Sequence, residues 1–218
     1  MRYFDHLNLS LLALALVGGP ASAQQASLVS AVTDCPHPLA ALASCYAAKL
    51  DTGAYVLAAL PKQWNGVLVV LGHGGPFVVP PTAENEVDSV IRNAAVVQRG
   101  FGWVASSYRK EGYGVAMAAE DSDQARKFFI ERVAKPRLTI YHGQSYGGLV
   151  GAKLIESYAK NVDGSLNYDG ALFQSGALAG ALLTYEHRAD LRAVYQYYCK
   201  NLPRPNETQY PLWSGIPS

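Results

Sequence analysis

Neither sign of charge predominates in this 218-residue sequence: 18 Lys and Arg stand against 17 Asp and Glu, a net charge of +1. That balance supplies no field to capture nucleic acid and no basic face for anionic lipid, so neither partner is expected. Charge is also scarce, 16% against 50% hydrophobic residues, which excludes a disordered chain and predicts a packed core. Gly (20) and Pro (12) are too few for a collagen-like or low-complexity chain, and nothing repeats at solenoid periods. Cysteine is limited to three residues, with no Cys-x-x-Cys and no His/Cys cluster at zinc spacing, so no metal and no cofactor are expected.

Long apolar runs are missing as well. The stretch Leu7 to Val17 is too short to cross the roughly 30 Å of membrane hydrocarbon. Preceded by Arg2 and followed by Ala21-Ser22-Ala23, it reads as the core of a cleavable signal peptide spanning residues 1–23, with cleavage before Gln24. The mature protein is then expected to be secreted or periplasmic, with no membrane attachment once the signal is removed. An oxidising compartment would let Cys35 and Cys45 close a short loop near the mature N-terminus. Cys199 is left over, either as a buried thiol or with a partner in sequence this chain does not contain.

What is present alternates between strand and helix. Ala54 to Leu60 and Gly66 to Leu71 read as strands joined by a turn around Pro61 and Asn65-Gly66. The second is apolar throughout, as suits a central strand covered on both faces. Val87, Val90, Ile91, Ala94, Ala95 and Gln98 fall at helical spacing, with Gly100 where a helix end wants a left-handed residue. Trp103 to Ser106 is a strand. Ala125, Phe128, Phe129 and Val133 mark a helix ended by Lys135-Pro136. Arg137 to His142 is a strand, Gly147 to Tyr158 a helix and Ala171 to Gln174 a strand. The repeating unit predicts an α/β fold: a doubly wound, mostly parallel sheet with helices on both faces and right-handed crossovers.

One segment carries chemistry. Gly143-Gln144-Ser145-Tyr146-Gly147-Gly148 follows a strand and opens a helix. A nucleophilic serine must be held clear of the backbone at the carboxyl edge of the sheet, and a sharp strand-to-helix turn does this only where the residues two before and two after lack side chains. Gly143 and Gly147 meet that demand, making Ser145 the candidate nucleophile. The new helix points its first amides at a developing oxyanion, with the Tyr146 N–H as one donor. A second glycine loop, His73-Gly74-Gly75-Pro76, follows the apolar strand and can turn amides of Gly74 or Gly75 toward the same edge, completing an oxyanion hole. His73 reads as orienting that loop, and His142 as packing on its strand.

These two loops, with Ser107-Tyr108-Arg109 and the strand Asp169 to Gly176, resemble the α/β-hydrolase superfamily, in particular secreted serine esterases and prolyl-peptidase relatives. The resemblance runs from about Ala54 to Gly176, the N-terminal two-thirds of such a domain. It implies Ser145 as nucleophile and the backbone amides of Tyr146 and of Gly74 or Gly75 as the hole. Phe77 stands where the proline iminopeptidase type has glycine. Arg109, at a strand's carboxyl end, reads as a structural ion-pair partner.

The superfamily's triad runs Ser, then Asp or Glu, then His. After Ser145 the one histidine is His187, inside an apparently helical, tyrosine-rich segment, and Asp163, Asp169 and Asp190 do not follow strands at the expected place. His187 is therefore read as a residue of an inserted helix and not as the base. The acid and base are expected in sequence missing from this chain, which leaves the 218-residue form nearly inactive. The expected division is a signal peptide at 1–23, a hydrolase core at 24–176 and, at 177–218, the start of a cap in a chain cut short. The run Tyr185 to Tyr198 is read as helix packing under the sheet, with an aromatic substrate pocket as the alternative. Together these readings describe an exported serine hydrolase cleaving an ester or related acyl bond of a small molecule. Two alternatives remain: a prolyl-peptidase-like serine peptidase taking short peptides, and a non-catalytic secreted binding domain that keeps the elbow without its triad.

Overall fold

A computed structural model describes residues 31–200. The signal peptide expected at 1–23, and all of the expected cap beyond residue 200, lie outside the described residues. Seven strands form one sheet: β1 (Ala31–Thr33), β2 (Ala43–Lys49), β3 (Tyr55–Pro61), β4 (Val67–Gly72), β5 (Gly102–Ser106), β6 (Leu138–Gln144) and β7 (Gly170–Gln174). Their order is β1-β2-β3-β5-β4-β6-β7. The pairs β1–β2, β2–β3 and β3–β5 are antiparallel, whereas β5–β4, β4–β6 and β6–β7 are parallel. Strands β2, β4, β5, β6 and β7 thus point one way and β1 and β3 the other, a mostly parallel mixed sheet. The antiparallel strands β1 and β2, at one edge, went unread in the sequence.

Helices cover both faces. On one, α1 (Ala83–Arg92) and α2 (Ala94–Gln98) set Val90, Ala94 and Val97 against Leu57, Leu71, Trp103 and Ala105. On the other, α3 (Val115–Arg132) and α4 (Tyr146–Tyr158) set Phe128, Phe129, Val150 and Leu154 against Leu68, Val70, Val104 and Tyr141. Strand β4 sends Leu68 and Val70 to one core and Leu71 to the other, so every residue from Val67 to Gly72 is buried. This two-sided burial is why the run GVLVVL carries no polar residue.

Two helices differ from the sequence reading. The helix placed over 87–98 is two helices that part at Asn93, whose side-chain amide donates to the Ser89 carbonyl at 2.8 Å. An asparagine amide competing for helix carbonyls ends a helix in this way. Gly100, φ +84°, follows α2 as expected, and a Cβ there would sit 2.9 Å from the Gln63 carbonyl oxygen. Helix α3 begins ten residues before Ala125 because its first turns pack small residues, Ala118 and Ala119, and two buried aspartates with partners. Asp121 accepts from Arg109, and Asp123 from Arg126 at 2.8 Å and from Lys127 at 3.0 Å. A pattern of large apolar residues could not reveal those turns.

Cys35 and Cys45 form a disulfide, both buried beneath α1 and α2 against Leu57 and Trp103. The sequence separation of 10 makes a short loop, for which closure entropy gives about 2.5 kcal/mol. Cys45→Ser is expected to lose about that much in a urea unfolding titration. Cys199 is free and exposed, not buried.

Glu86 stands out on the inner face of α1, one turn before Val90. It is 1% exposed, and neither carboxylate oxygen has a hydrogen-bond partner. Burial pushes its carboxyl up to about 8. The native state keeps the proton that the unfolded chain releases near its ordinary value of 4.5. The stability tied to that proton is full below the unfolded value and is lost as pH rises through about 8. Glu86→Gln should therefore leave the urea midpoint little changed at acid pH and raise it at alkaline pH, flattening the profile.

Candidate active site

Strand β6 delivers the chain to the carboxyl edge of the sheet, and α4 takes it away after a single residue, Ser145. Its backbone lies at φ 52°, ψ −113°, a left-handed conformation that non-glycine residues seldom adopt. The turn is built by close backbone approach. A Cβ on Gly143 would overlap the Gly147 carbonyl, and one on Gly147 would overlap the Gly72 carbonyl at the end of β4. Gly148 is equally confined, with the Gly176 Cα 2.7 Å from where its Cβ would stand. Buried Tyr141 ties the turn by donating its phenolic hydrogen to the Gly147 carbonyl at 2.8 Å, and the Ser145 N–H donates to the Gln174 carbonyl at 2.8 Å.

Ser145 itself is exposed. Among the described residues no side chain hydrogen-bonds its hydroxyl. The Tyr146 amide, first in α4, has no intrahelical acceptor, as is general for a first turn. The glycine loop after β4 comes up beside the elbow: a Cβ on Gly74 would lie 3.2 Å from the Gln144 carbonyl oxygen and 3.7 Å from the Ser145 Cβ. Gly75 turns with φ +70°. The structure thus brings Ser145, Tyr146 and Gly74 together, with Gly75 next in the loop.

His73 is held between two rings, Phe77 at 4.5 Å and Tyr108 at 4.2 Å between centroids. Its Nδ1 lies 3.5 Å from the Gly74 carbonyl. Burial holds the imidazole below its ordinary value, so the stacked ring is neutral near pH 7. The contacts suit a loop-orienting residue. Tyr108 in turn is buried at φ 58°, its N–H donating to Ser106 Oγ at 3.1 Å and its carbonyl accepting from Ser107 Oγ at 2.8 Å. Arg109 is the ion-pair partner the sequence suggests: its Nε reaches Asp121 at 2.9 Å and its Nη2 reaches Glu120 at 2.8 Å. Asp121 holds the guanidinium above its usual range. This clamp fixes the start of α3 to the end of β5.

A cavity of about 500 Å³ opens in front of the elbow. Ser145, His142, Gly74 and Phe77 form one side and Ser89 and Arg92 of α1 the other. The α1 side was not foreseen, since polar residues on an amphipathic helix read as its solvent face; no pattern in the sequence points them at the elbow.

The later candidates lie elsewhere. Asp169 precedes β7 at the opposite edge of the sheet from Ser145, where its carboxylate accepts from the Thr139 amide at 2.7 Å. Asp163 accepts from the Ser165 amide at 2.9 Å in a surface turn. His187 and Asp190 are exposed on α5 (Ala181–Cys199). The tyrosine-rich run requires a correction. Helix α5 has no buried residue, so the run does not pack under the sheet, and none of its tyrosines lines the cavity. Left-handed turns at Ser175 (φ 52°) and Gly180 (φ 93°) carry α5 clear of both cores. One link inward is the Tyr185 hydroxyl, 2.6 Å from that of Tyr113, whose ring meets Tyr146 edge-on at 5.1 Å. Burial pushes the Tyr146 phenol up to about 12.

Over the described residues the fold is a mostly parallel mixed sheet with helices on both faces and its elbow after the strand next to β4. No family model and no curated protein matches the sequence. Solved structures similar to it include the Francisella virulence factor BioJ, at 15% identity over 60% of this chain and 43% of that one, TM-score 0.46. Another is the rice cell wall degrading esterase LipA from Xanthomonas oryzae, at 15% identity over 59% of this chain and 40% of that one, TM-score 0.43. DphMB1 aligns at 20% identity over 67% of this chain and 48% of that one, TM-score 0.48. The chain spans less than half the length of each of these proteins.

Proposed function

We propose that this chain is part of an exported serine hydrolase that cleaves an ester or related acyl bond. One observation carries the reading: an exposed Ser145 at φ 52° on a strand-to-helix turn whose flanking glycines admit no Cβ, with Gly74 of a second loop alongside. In this proposal a general base takes the Ser145 proton and the serine oxygen attacks the carbonyl carbon. The resulting tetrahedral oxyanion accepts hydrogen bonds from the amides of Tyr146 and of Gly74 or Gly75. The amino end of α4 adds its positive dipole end. Losing one such donor costs about 2.7 to 4 kcal/mol of transition-state stabilisation.

The Cys35–Cys45 disulfide supports export, because such bonds persist in oxidising compartments. None of the described histidines is hydrogen-bonded to Ser145, so the base is assigned to none of them and slow chemistry is expected of the 218-residue chain. A fluorophosphonate probe tests the reading. Modification at Ser145, located by peptide mass spectrometry, is the expected result. Modification at other serines alone, or none after prolonged exposure, would refute the hydrolase and favour a binding domain. Faster turnover of p-nitrophenyl acyl esters than of aminoacyl anilides would separate esterase from peptidase.

A further inference from the structure

The wall that α1 presents to Ser145 takes no part in the chemistry above, and it is polar along its length. Leu71 and Phe77 are the only apolar side chains among the described residues lining this cavity. Facing them, α1 contributes Asn85, Asp88, Ser89 and Arg92. Asp88 and Arg92 form no ion pair with each other or with any other described side chain, and their opposite charges leave the wall without net charge. From the strand side, His142 lines the same space three residues before the nucleophile. Its Nε2 is buried and has no hydrogen-bond partner.

We propose that this cavity binds a neutral, multiply hydroxylated group of the substrate, such as a sugar-like ring, and not an alkyl chain. The wall mixes groups that only donate (Arg92), only accept (Asp88) and do both (Ser89). A hydroxyl is the neutral ligand group that can serve all three, since each one donates and accepts. His142, which lines the same space, reports on what enters it. An alkyl chain of equal size would strip water from these polar atoms and return no hydrogen bond, so the cavity discriminates against it. A charged group would meet both an attracting and a repelling partner on the same helix.

The word substrate rests on Ser145 being the nucleophile; binding does not, and it can be measured without the nucleophile. The Ser145→Ala form of the chain, carrying 15N-labelled histidine, is titrated with methyl β-D-glucopyranoside and, separately, with cyclohexyl methyl ether, a ring of like size without hydroxyls. His142→Gln assigns the His142 resonance. A saturable shift of His142 Nε2 with the glucoside, absent with the ether, is the expected result. Ser89→Ala, from the opposite wall, should weaken the glucoside's apparent affinity roughly tenfold, the effect of one lost hydrogen bond. An ether shift as large as the glucoside's, no glucoside shift, or affinity indifferent to Ser89→Ala would overturn the proposal. Saturable binding without fluorophosphonate capture at Ser145 would defeat the hydrolase and keep the cavity; capture without binding would do the reverse.

Discussion

Ser145→Ala is expected to abolish fluorophosphonate capture at this position outright, the largest chemical effect of any single substitution in this protein. With a general base in place, the same change should cost on the order of 10⁶ in kcat, because nucleophile and base act as a unit and the loss of either removes the covalent route. Fold and stability should survive it, since the exposed serine hydroxyl bonds no described side chain. Ser145→Gly sharpens the test. Glycine adopts φ 52° without the steric penalty a side chain pays, so this variant should unfold at higher urea, by about 1 kcal/mol, while also failing to label. A gain in stability paired with complete loss of capture is the signature of strain held at a functional position. If Ser145→Gly were less stable than the parent, the backbone there would be relaxed and the elbow reading would lose its physical basis.

The parallel half of this sheet could be read from the sequence because burial on both faces forces a uniform signal. Val67 to Leu71 feed two cores, so no position in β4 tolerates a polar residue, and the run announces itself. The antiparallel strands β1 and β2 gave no such signal. Strand β2, Ala43–Lys49, alternates buried Ala43 and Cys45 with exposed Ser44, and its alanines carry little of the hydrophobic contrast on which strand patterns rely. The start of α3 was hidden for a related reason: its buried Asp121 and Asp123 look like surface residues until Arg109, Arg126 and Lys127 are seen to occupy them.

The same division holds at the candidate site. Ser145, Gly143 and Gly147 are legible because one turn geometry demands those residue types at that spacing. The companion loop at His73 to Pro76 is legible only because it follows a strand that must lie beside the elbow, as the register Leu71 to His142 and Gly72 to Gly143 shows. Nothing local marks Ser89 and Arg92 of α1. Their place before Ser145 depends on how α1 crosses the sheet, a tertiary fact without a sequence period. The tyrosines of α5 fail the other way: an apolar helical stripe reads as core, yet Leu182, Leu191, Tyr197 and Tyr198 stay exposed among the described residues.

Gly147→Ala is expected to be among the most destabilising single-methyl additions this fold can receive, at about 3 to 4 kcal/mol. The added Cβ would overlap the Gly72 carbonyl oxygen and stand 2.8 Å from the His73 carbonyl oxygen. Both are backbone atoms at the exit of β4, where the chain is fixed by its ladder to β6 and cannot swing aside as a flexible side chain would. Moving α4 instead would break the hydrogen bond from the Tyr141 hydroxyl to the Gly147 carbonyl, and Gly148, pressed against the Gly176 Cα, resists retreat on the other side. Relief by either route also separates Gly74 from Ser145, so the variant should lose fluorophosphonate capture even at temperatures where it remains folded. Gly170→Ala is the control: its Cβ would meet nothing within 4 Å, its φ is not positive, and it should unfold within about 1 kcal/mol of the parent. Urea midpoints of the three proteins decide the matter. Equal losses at the two glycines would mean that the approach of β4 to α4 can yield, and an elbow able to yield would not hold Ser145 in its strained conformation.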